Sequence, residues 1–254
     1  MQRLKKAIFN IRYGASIVFS KLLSFIVGGT ECIVCGKNCI AIPVCKECGI
    51  RFYSVSAIDG RFCSVCGKTL ISEQNICTDC RNGKINLNID GIFPLFSYRL
   101  WNTRLLSAWK RNNERVLSPF FAERIAKRLS QMQADYGEFY LVPVPPRHGK
   151  IRERGWDQIE ELFKILEYFY GFKILRILKR LSETEQKKLD RNERLSTIGK
   201  SYALKEGANK IEVPAQVCII DDVITTGATL QSCAAALKSL GMKKIYALTL
   251  FIVD

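Results

Sequence analysis

The residues with the clearest chemistry run in the order Asp221-Asp222-Val223-Ile224-Thr225-Thr226-Gly227-Ala228-Thr229. Two adjacent carboxylates can accept hydrogen bonds from a pair of vicinal hydroxyls such as a ribose diol. Gly227 permits a tight turn that brings backbone N–H groups close to a phosphate, and the hydroxyls of Thr225, Thr226 and Thr229 add donors. An apolar run, Val217-Cys218-Ile219-Ile220, precedes these residues, and an amphipathic pattern from Thr229 to Leu240 follows them. That order places the acids at the carboxyl end of a buried strand and the threonines at a helix amino terminus, where the dipole favours an anion.

Cations gather in two further stretches. Leu141-Val142-Pro143-Val144-Pro145-Pro146 ends a strand-like run in a rigid turn, after which come Arg147, Lys150, Arg152 and Arg154, then Gly155-Trp156-Asp157-Gln158. The second stretch holds Arg180, Thr184, Gln186, Lys187, Arg191 and Arg194. A charge run is most often a solvated face, but cations beside a phosphate site can close over a pyrophosphate, screen it and exclude water. His148 is the sole histidine and forms no nucleophilic arrangement with a Ser or Cys.

Four Cys-x-x-Cys pairs suit metal ions better than a bridge network and point to a reducing, cytoplasmic compartment. Cys32 and Cys35 are followed by Cys45 and Cys48, and Cys63 and Cys66 by Cys77 and Cys80. Two such knuckles supply the four thiolates of a closed, structural zinc site, so two zinc ions are expected. We expect the first pair to share a site with the second and the third with the fourth, although spacing alone leaves a crossed arrangement open. Cys39 is spare, and Cys218 and Cys233 read as small buried residues.

These groups need a scaffold, and the chain of 254 residues is long enough for one α/β domain plus a small module. Residues 1–29 carry apolar positions Leu4, Ile8, Ile11, Ala15, Val18, Leu22 and Phe25 at helical spacing. Asn10, Arg12 and Lys21 interrupt the run, so an amphipathic helix is expected rather than a signal peptide or membrane span. Residues 30–85 form the cysteine module, and residues 86–254 the main domain. In the latter, extended segments are expected at Ile92–Tyr98, Phe139–Val144, Ile174–Leu178, Val217–Ile220 and Ile245–Val253. Helices are expected at Thr103–Trp109, Ser118–Met132 with Ser118 as N-cap and Pro119 opening the helix, Asp157–Tyr170, and Thr229–Leu240. Such alternation predicts a parallel sheet covered by helices on both faces. Ser182–Lys200 reads as a basic loop. The formal net charge is +15, most of the excess falling in residues 99–200, which favours polyanionic partners.

The Asp221–Thr229 run resembles the phosphoribosyl-pyrophosphate loop of the type I phosphoribosyltransferases. The resemblance implies their parallel sheet flanked by helices, with Asp221 and Asp222 on the ribose 2′- and 3′-hydroxyls. It also implies Thr225, Thr226, Gly227, Ala228 and Thr229 around the 5′-phosphate, and magnesium bound with phosphoribosyl pyrophosphate. In the 6-oxopurine salvage enzymes of that group an Asp stands at the place of Thr225 and accepts the base's proton, so that activity is not expected here.

More of the chain resembles the ComF family, including the GntX-like proteins. Trp109-Lys110, Pro143-Val144-Pro145, Arg154-Gly155-Trp156-Asp157-Gln158, Thr184-x-Gln186-x-x-Leu189, Arg194 and the Asp221 loop occur in that family's order. Trp156 and Asp157 replace a usual Phe and Asn, and Thr197 replaces a usual Asn. This second resemblance implies an N-terminal double zinc ribbon and a set facing the pyrophosphate: Lys110, Pro145, Arg147, Arg152, Arg154, Gln158 and Arg194. It also implies a part in competence and DNA uptake, with single-stranded DNA and proteins of the competence machinery as partners. Trp101, Trp109 and Trp156 are compatible with base stacking, but packing in the core or in loops is the reading that such aromatics favour. Two functional classes stay open: a protein that binds phosphoribosyl pyrophosphate, and an enzyme that transfers phosphoribosyl to an unidentified base or amine with release of pyrophosphate. No segment reads as a hood recognising a base, and no residue as a clear general base.

Overall fold

The computed structural model describes residues 29–40, 42–50, 62–70, 72–83, 88–98, 101–111, 114–146, 156–181 and 201–253. The expected N-terminal helix, the basic residues 147–155 and the loop 182–200 lie outside them.

The main sheet has four parallel strands in the order β3 (Gly91–Ser97), β8 (Lys244–Ile252), β7 (Gln216–Ile224), β4 (Tyr140–Pro143). The two central strands are the most continuously apolar, as a sheet covered on both faces requires. Side chains alternate between the faces: Cys218, Ile220, Tyr246 and Leu248 join one core, and Val217, Ile219, Ile245 and Ala247 the other. Three helices cover the first face: α2 (Trp101–Arg111), α3 (Leu117–Tyr136) and α4 (Gln158–Tyr168). Phe121, Ile125, Leu129 and Met132 of α3 recur every third or fourth residue and are fully buried. On the second face lie α5 (Ala228–Ser239) and an antiparallel ribbon of β5 (Leu178–Arg180) and β6 (Tyr202–Leu204).

Two expectations are corrected. Helix α3 starts before Ser118, with Val116 at its N-cap, and the buried Ser118 hydroxyl accepts the Trp109 indole N–H at 3.0 Å. Pro119 is the third helical residue, where its missing N–H is still harmless because the first turn's N–H groups have no intrahelical acceptor. Ile174–Leu178 is not a strand of the main sheet: only Ile174 bridges Leu141, and pairing resumes at Leu178 with β6. Arg176, Lys179 and Arg180 explain the departure, because charged side chains cannot be covered on both faces; Arg176 instead reaches Glu160 and Glu167, each at 3.0 Å.

The cysteine module is built as two copies of one turn. β1 (Thr30–Glu31) pairs with β2 (Asn38–Cys39), and Phe62 bridges Thr69 in the second copy, which ends in the short helix α1 (Thr78–Arg81). Both copies join the cores of the main domain: Ile33, Val34, Ile42 and Val44 pack on one, and Cys63, Cys66, Leu70 and Cys77 belong to the other. The second sits flush on the edge strand. Gly67 has φ +73°, and a Cβ there would lie 2.4 Å from Pro94 Cδ and 2.6 Å from the Ile92 carbonyl oxygen. Gly67→Ala is therefore expected to destabilise the chain by about 2 kcal/mol or more, and to lower the melting temperature by several degrees. Gly83→Ala, at the same φ in open space, should lose only the backbone part; calorimetry on both compares them.

Candidate ligand cleft and metal centres

Strand β7 does not stop at Ile220, as its apolar run suggests, but continues through both acids to Ile224. Its two neighbours behave differently there. β8 stays paired, Asp221 with Thr249 and Ile224 with Ile252, whereas β4 ends at Pro143 and only the Val144 N–H still reaches the Ile220 carbonyl, at 3.2 Å. Pro145 and Pro146 have no N–H with which to continue the ladder. The strands therefore part at the residues bearing carboxylates, leaving a crevice at the carboxyl ends of the sheet, where open α/β sheets bind ligands.

The crevice is a cleft of about 300 Å³, and Lys110, Pro145, Gln158, Asp221, Asp222, Thr225 and Thr229 all line it. Lys110 at the end of α2 forms an ion pair with Asp222. Asp221 Oδ1 accepts the Asp222 N–H at 2.8 Å. Burial, and then the neighbouring Asp222 charge, push Asp221 up to about 7 against the pull of the Asp222 N–H, Lys110 and Arg180. One cation is thus ion-paired where two carboxylates meet, an arrangement that suits hydroxyl donors or a divalent cation.

Thr225 and Thr226 are exposed, and Gly227 makes the turn into α5 with φ +77° and ψ −1°, a conformation costly for any residue with a side chain. The loop therefore presents two threonine hydroxyls and the first N–H groups of a twelve-residue helix at the cleft mouth.

The opposite wall comes from the start of α4. Asp157 is its N-cap, accepting from the Ile159 and Glu160 N–H groups at 3.0 and 3.1 Å. Burial raises the Asp157 carboxyl, those two donors pull it down, and the Asp222 charge raises it further. Gln158 is buried beside it. Of the two readings of the tryptophans, core packing holds for two: Trp109 is fully buried and Trp156 is 8% exposed, the two rings meeting edge to face at 6.1 Å. Arg115 holds this corner, lying over Trp156 at 5.2 Å and bonding Glu161 at 3.0 Å. Nothing is described of the Trp101 side chain. Arg147, Arg152, Arg154 and Arg194 lie outside the described residues.

One further wall joins Arg180, which the sequence places in a basic stretch, to Tyr202, which the sequence does not single out. Arg180 of β5 and Tyr202 of β6 line the cleft, with the Arg180 guanidinium donating to the Tyr202 hydroxyl at 2.6 Å. Burial raises the Tyr202 hydroxyl although Arg180 opposes it. The ribbon is tied to α5 because the Ser232 hydroxyl accepts the Ser201 and Tyr202 N–H groups at 3.0 and 3.1 Å. The alternation Leu178, Arg180 and Tyr202, Leu204 was the available signal, too short to register against the charged loop between them.

The cysteines form two groups, Cys32, Cys35, Cys45, Cys48 and Cys63, Cys66, Cys77, Cys80, each with its sulfurs within 4.8 Å of one another. This is the sequential arrangement. The two groups repeat each other's bonds: the Cys45 N–H donates to Cys32 Sγ and the Cys77 N–H to Cys63 Sγ, both at 3.3 Å. Gly36 and Gly67, both at φ +73°, turn each knuckle. The repeated Cys-x-Val-Cys-Gly-Lys is the sequence trace of this symmetry. Burial would raise the first thiol of each set. It is outweighed by backbone N–H groups, from Cys45, Cys35 and Val34 for Cys32 and from Cys77, Cys66 and Val65 for Cys63, which hold the two at about 6 and about 7. Preformed thiolate positions within a compact set of four sulfurs fit a tetrahedral metal ion such as zinc.

Among known proteins, the chain is 24% identical to Competence protein ComFC of Streptococcus pneumoniae, over 85% of this chain and 96% of that protein. It is 26% identical to Competence protein F of Haemophilus influenzae, over 84% and 86%, and 25% identical to Competence protein ComFC of Bacillus subtilis, over 78% and 79%. No family model matches. Among solved structures it is similar to a purine phosphoribosyltransferase from Pyrococcus horikoshii, at 18% identity and a TM-score of 0.29, over 53% of this chain and 87% of that one.

The purified protein is expected to carry two equivalents of zinc by elemental analysis. Cys66→Ser should lose one equivalent and melt several degrees lower, whereas Cys39→Ser should keep both. Asp221 gives a pH signature whose sign follows from linkage. Its unfolded form loses a proton near 3.8 and its folded form near 7, so its ionisation weakens the fold progressively between those values and by a constant amount above them. Asp221→Asn, neutral throughout, should gain stability relative to the wild type as pH rises through that window, and the gap should level off near 7. Thermal melts across the range test this; a gap independent of pH would contradict it.

Proposed function

We propose that this chain, a homologue of the ComF competence proteins, binds phosphoribosyl pyrophosphate in the cleft at the end of β7 and single-stranded DNA elsewhere on its surface, in the service of DNA uptake. The observation that carries the first half is the cleft itself. It offers adjacent acids to a vicinal diol, a helix amino terminus with threonine hydroxyls to a phosphate, and Lys110 and Arg180 to a further phosphate group.

In this reading the 5′-phosphate takes the exposed donors of Thr225, Thr226 and Thr229 and the backbone of Gly227 and Ala228. Asp221 and Asp222 accept from the ribose hydroxyls. Lys110 and Arg180 face the pyrophosphate, joined by Arg147, Arg152, Arg154 and Arg194. Gln158, at the opposite wall, orients the ligand. Asp221 and Asp222 are the residues that would hold magnesium arriving with the ligand, and the ion would supply charge neutralisation. The two zinc sites brace the module that carries part of the nucleic-acid surface.

Transfer to an acceptor is the second reading, for which Arg180 and Tyr202 of the β5–β6 ribbon supply a side wall to the cleft. Isothermal titration with magnesium and phosphoribosyl pyrophosphate tests the first reading. Asp222→Asn is expected to weaken binding roughly 10- to 100-fold, as loss of a charge-assisted acceptor should, and no wild-type binding would sink it. Pyrophosphate release across a panel of bases and amines separates the readings: release that requires an acceptor and is lost in Asp222→Ala makes the chain a transferase.

A further inference from the structure

A second cavity, of about 520 Å³, lies along the edge strand β3, between the second cysteine knuckle and helix α3, and shares no lining residue with the ligand cleft. Aromatic rings and cations converge there. Phe62, beside the metal-set residue Cys63, is 49% exposed, and Tyr136, at the end of α3, is 43% exposed. Phe93 of β3 lies between them and the sheet, its ring 5.8 Å from Tyr136, with the Arg128 guanidinium 5.1 Å above it. Arg124, Lys127, Arg128 and Gln131 come from one face of α3, three and four residues apart. Asp90, the sole acid of the lining, is engaged at the floor, accepting the Ile245 N–H at 2.8 Å.

Rings and cations in one groove select among polyanions. A duplex would satisfy Lys127 and Arg128 but hides its base faces in the stack. An acidic peptide offers no flat ring to the exposed sides of Phe62 and Tyr136, the latter packed on Phe93 and Tyr246, and strand addition to β3 is hindered because Pro94 breaks the row of N–H donors on that edge. A single-stranded nucleic acid brings a phosphate and a π-face together at every nucleotide. We propose that this groove is the single-strand binding surface: bases stack on Phe62 and Tyr136, and phosphates pair with Lys127 and Arg128. The proposal rests on the reading that the chain binds single strands, and it assigns that binding to β3, α3 and the second knuckle rather than to the tryptophans.

The test is fluorescence anisotropy of labelled oligo-dT and oligo-U on the full chain across a salt series, the two arms telling which nucleic acid is taken. Phe62→Ala with Tyr136→Ala is expected to raise Kd roughly tenfold or more at fixed salt, the scale of losing base–aromatic stacking. Lys127→Gln with Arg128→Gln should weaken binding to all sequences and flatten the slope of log K against log salt by about one. Both variants should keep two zinc equivalents, which excludes a collapsed knuckle. Wild-type binding that both double variants retain in full would overturn the groove while leaving single-strand binding intact. No wild-type binding at low salt would overturn both.

Discussion

Asp221 and Asp222 stand side by side in a strand whose preceding four residues are buried on both faces. Carboxylates in such a place are destabilising unless charge and donors are brought to them. Much of the surrounding structure does that. Lys110 comes from the last turn of α2, and α2 is fixed through Trp109, fully buried and bonded to Ser118 of α3. Arg180 comes from the β5–β6 ribbon, which the Ser232 hydroxyl ties to α5. Compensation stays incomplete, since Asp221 is pushed up towards neutrality. Residual strain of this electrostatic kind is typical of sites built for a ligand rather than for stability.

The cysteine module answers a different problem. Residues 29–83 contain too few apolar side chains to enclose a core, and the buried residues of the first knuckle are Cys32, Cys39, Cys45 and Cys48 with Pro43. Four cysteine sulfurs within 4.8 Å of one another fit a metal ion, which would replace the missing hydrophobic contacts, and the main domain supplies the rest. The first knuckle leans on the helical face of the sheet, where a Cβ on Gly49 would sit 3.6 Å from Arg124; the second shares the opposite core and closes on Pro94. The module therefore lies across the edge strand β3 and covers part of what would otherwise be a sticky edge.

The sequence made plain those features whose signal is local. The β7 run, the Gly227 turn and the Cys-x-x-Cys sets each need only neighbours in the chain to be recognised. Helix α4 was also legible, because Asp157 caps it from the residue next to it. Features set by distant partners were not. Ser118 reads as a helix cap until Trp109 is seen to claim its hydroxyl. That the tryptophans pack inside could be expected from their type, but not that Trp109 and Trp156 pack on each other. The β5–β6 ribbon is two three-residue strands separated by a charged loop, below the length at which alternation carries information. Lys110 and Asp222 are far apart in sequence, and only the parting of β4 from β7 brings α2 to the acids.

The state of the two halves of the cleft also separates their roles in the proposed reading. Thr225 and Thr226 are exposed, and the Ala228 N–H that opens α5 makes only a long bond, 3.5 Å, to the Thr226 hydroxyl, so a phosphate that binds there replaces one weak contact. The acids are already engaged, Asp222 with Lys110 and Asp221 with a backbone N–H, so a diol must replace partners that are already good. Net affinity then comes mainly from the phosphate loop, while the acids discriminate. A phosphate ester without vicinal hydroxyls would gain the loop contacts but leave the Lys110 pair closed. A ligand carrying both groups, and a further phosphate to receive the displaced lysine, gains at both ends, which is the combination of groups that phosphoribosyl pyrophosphate presents.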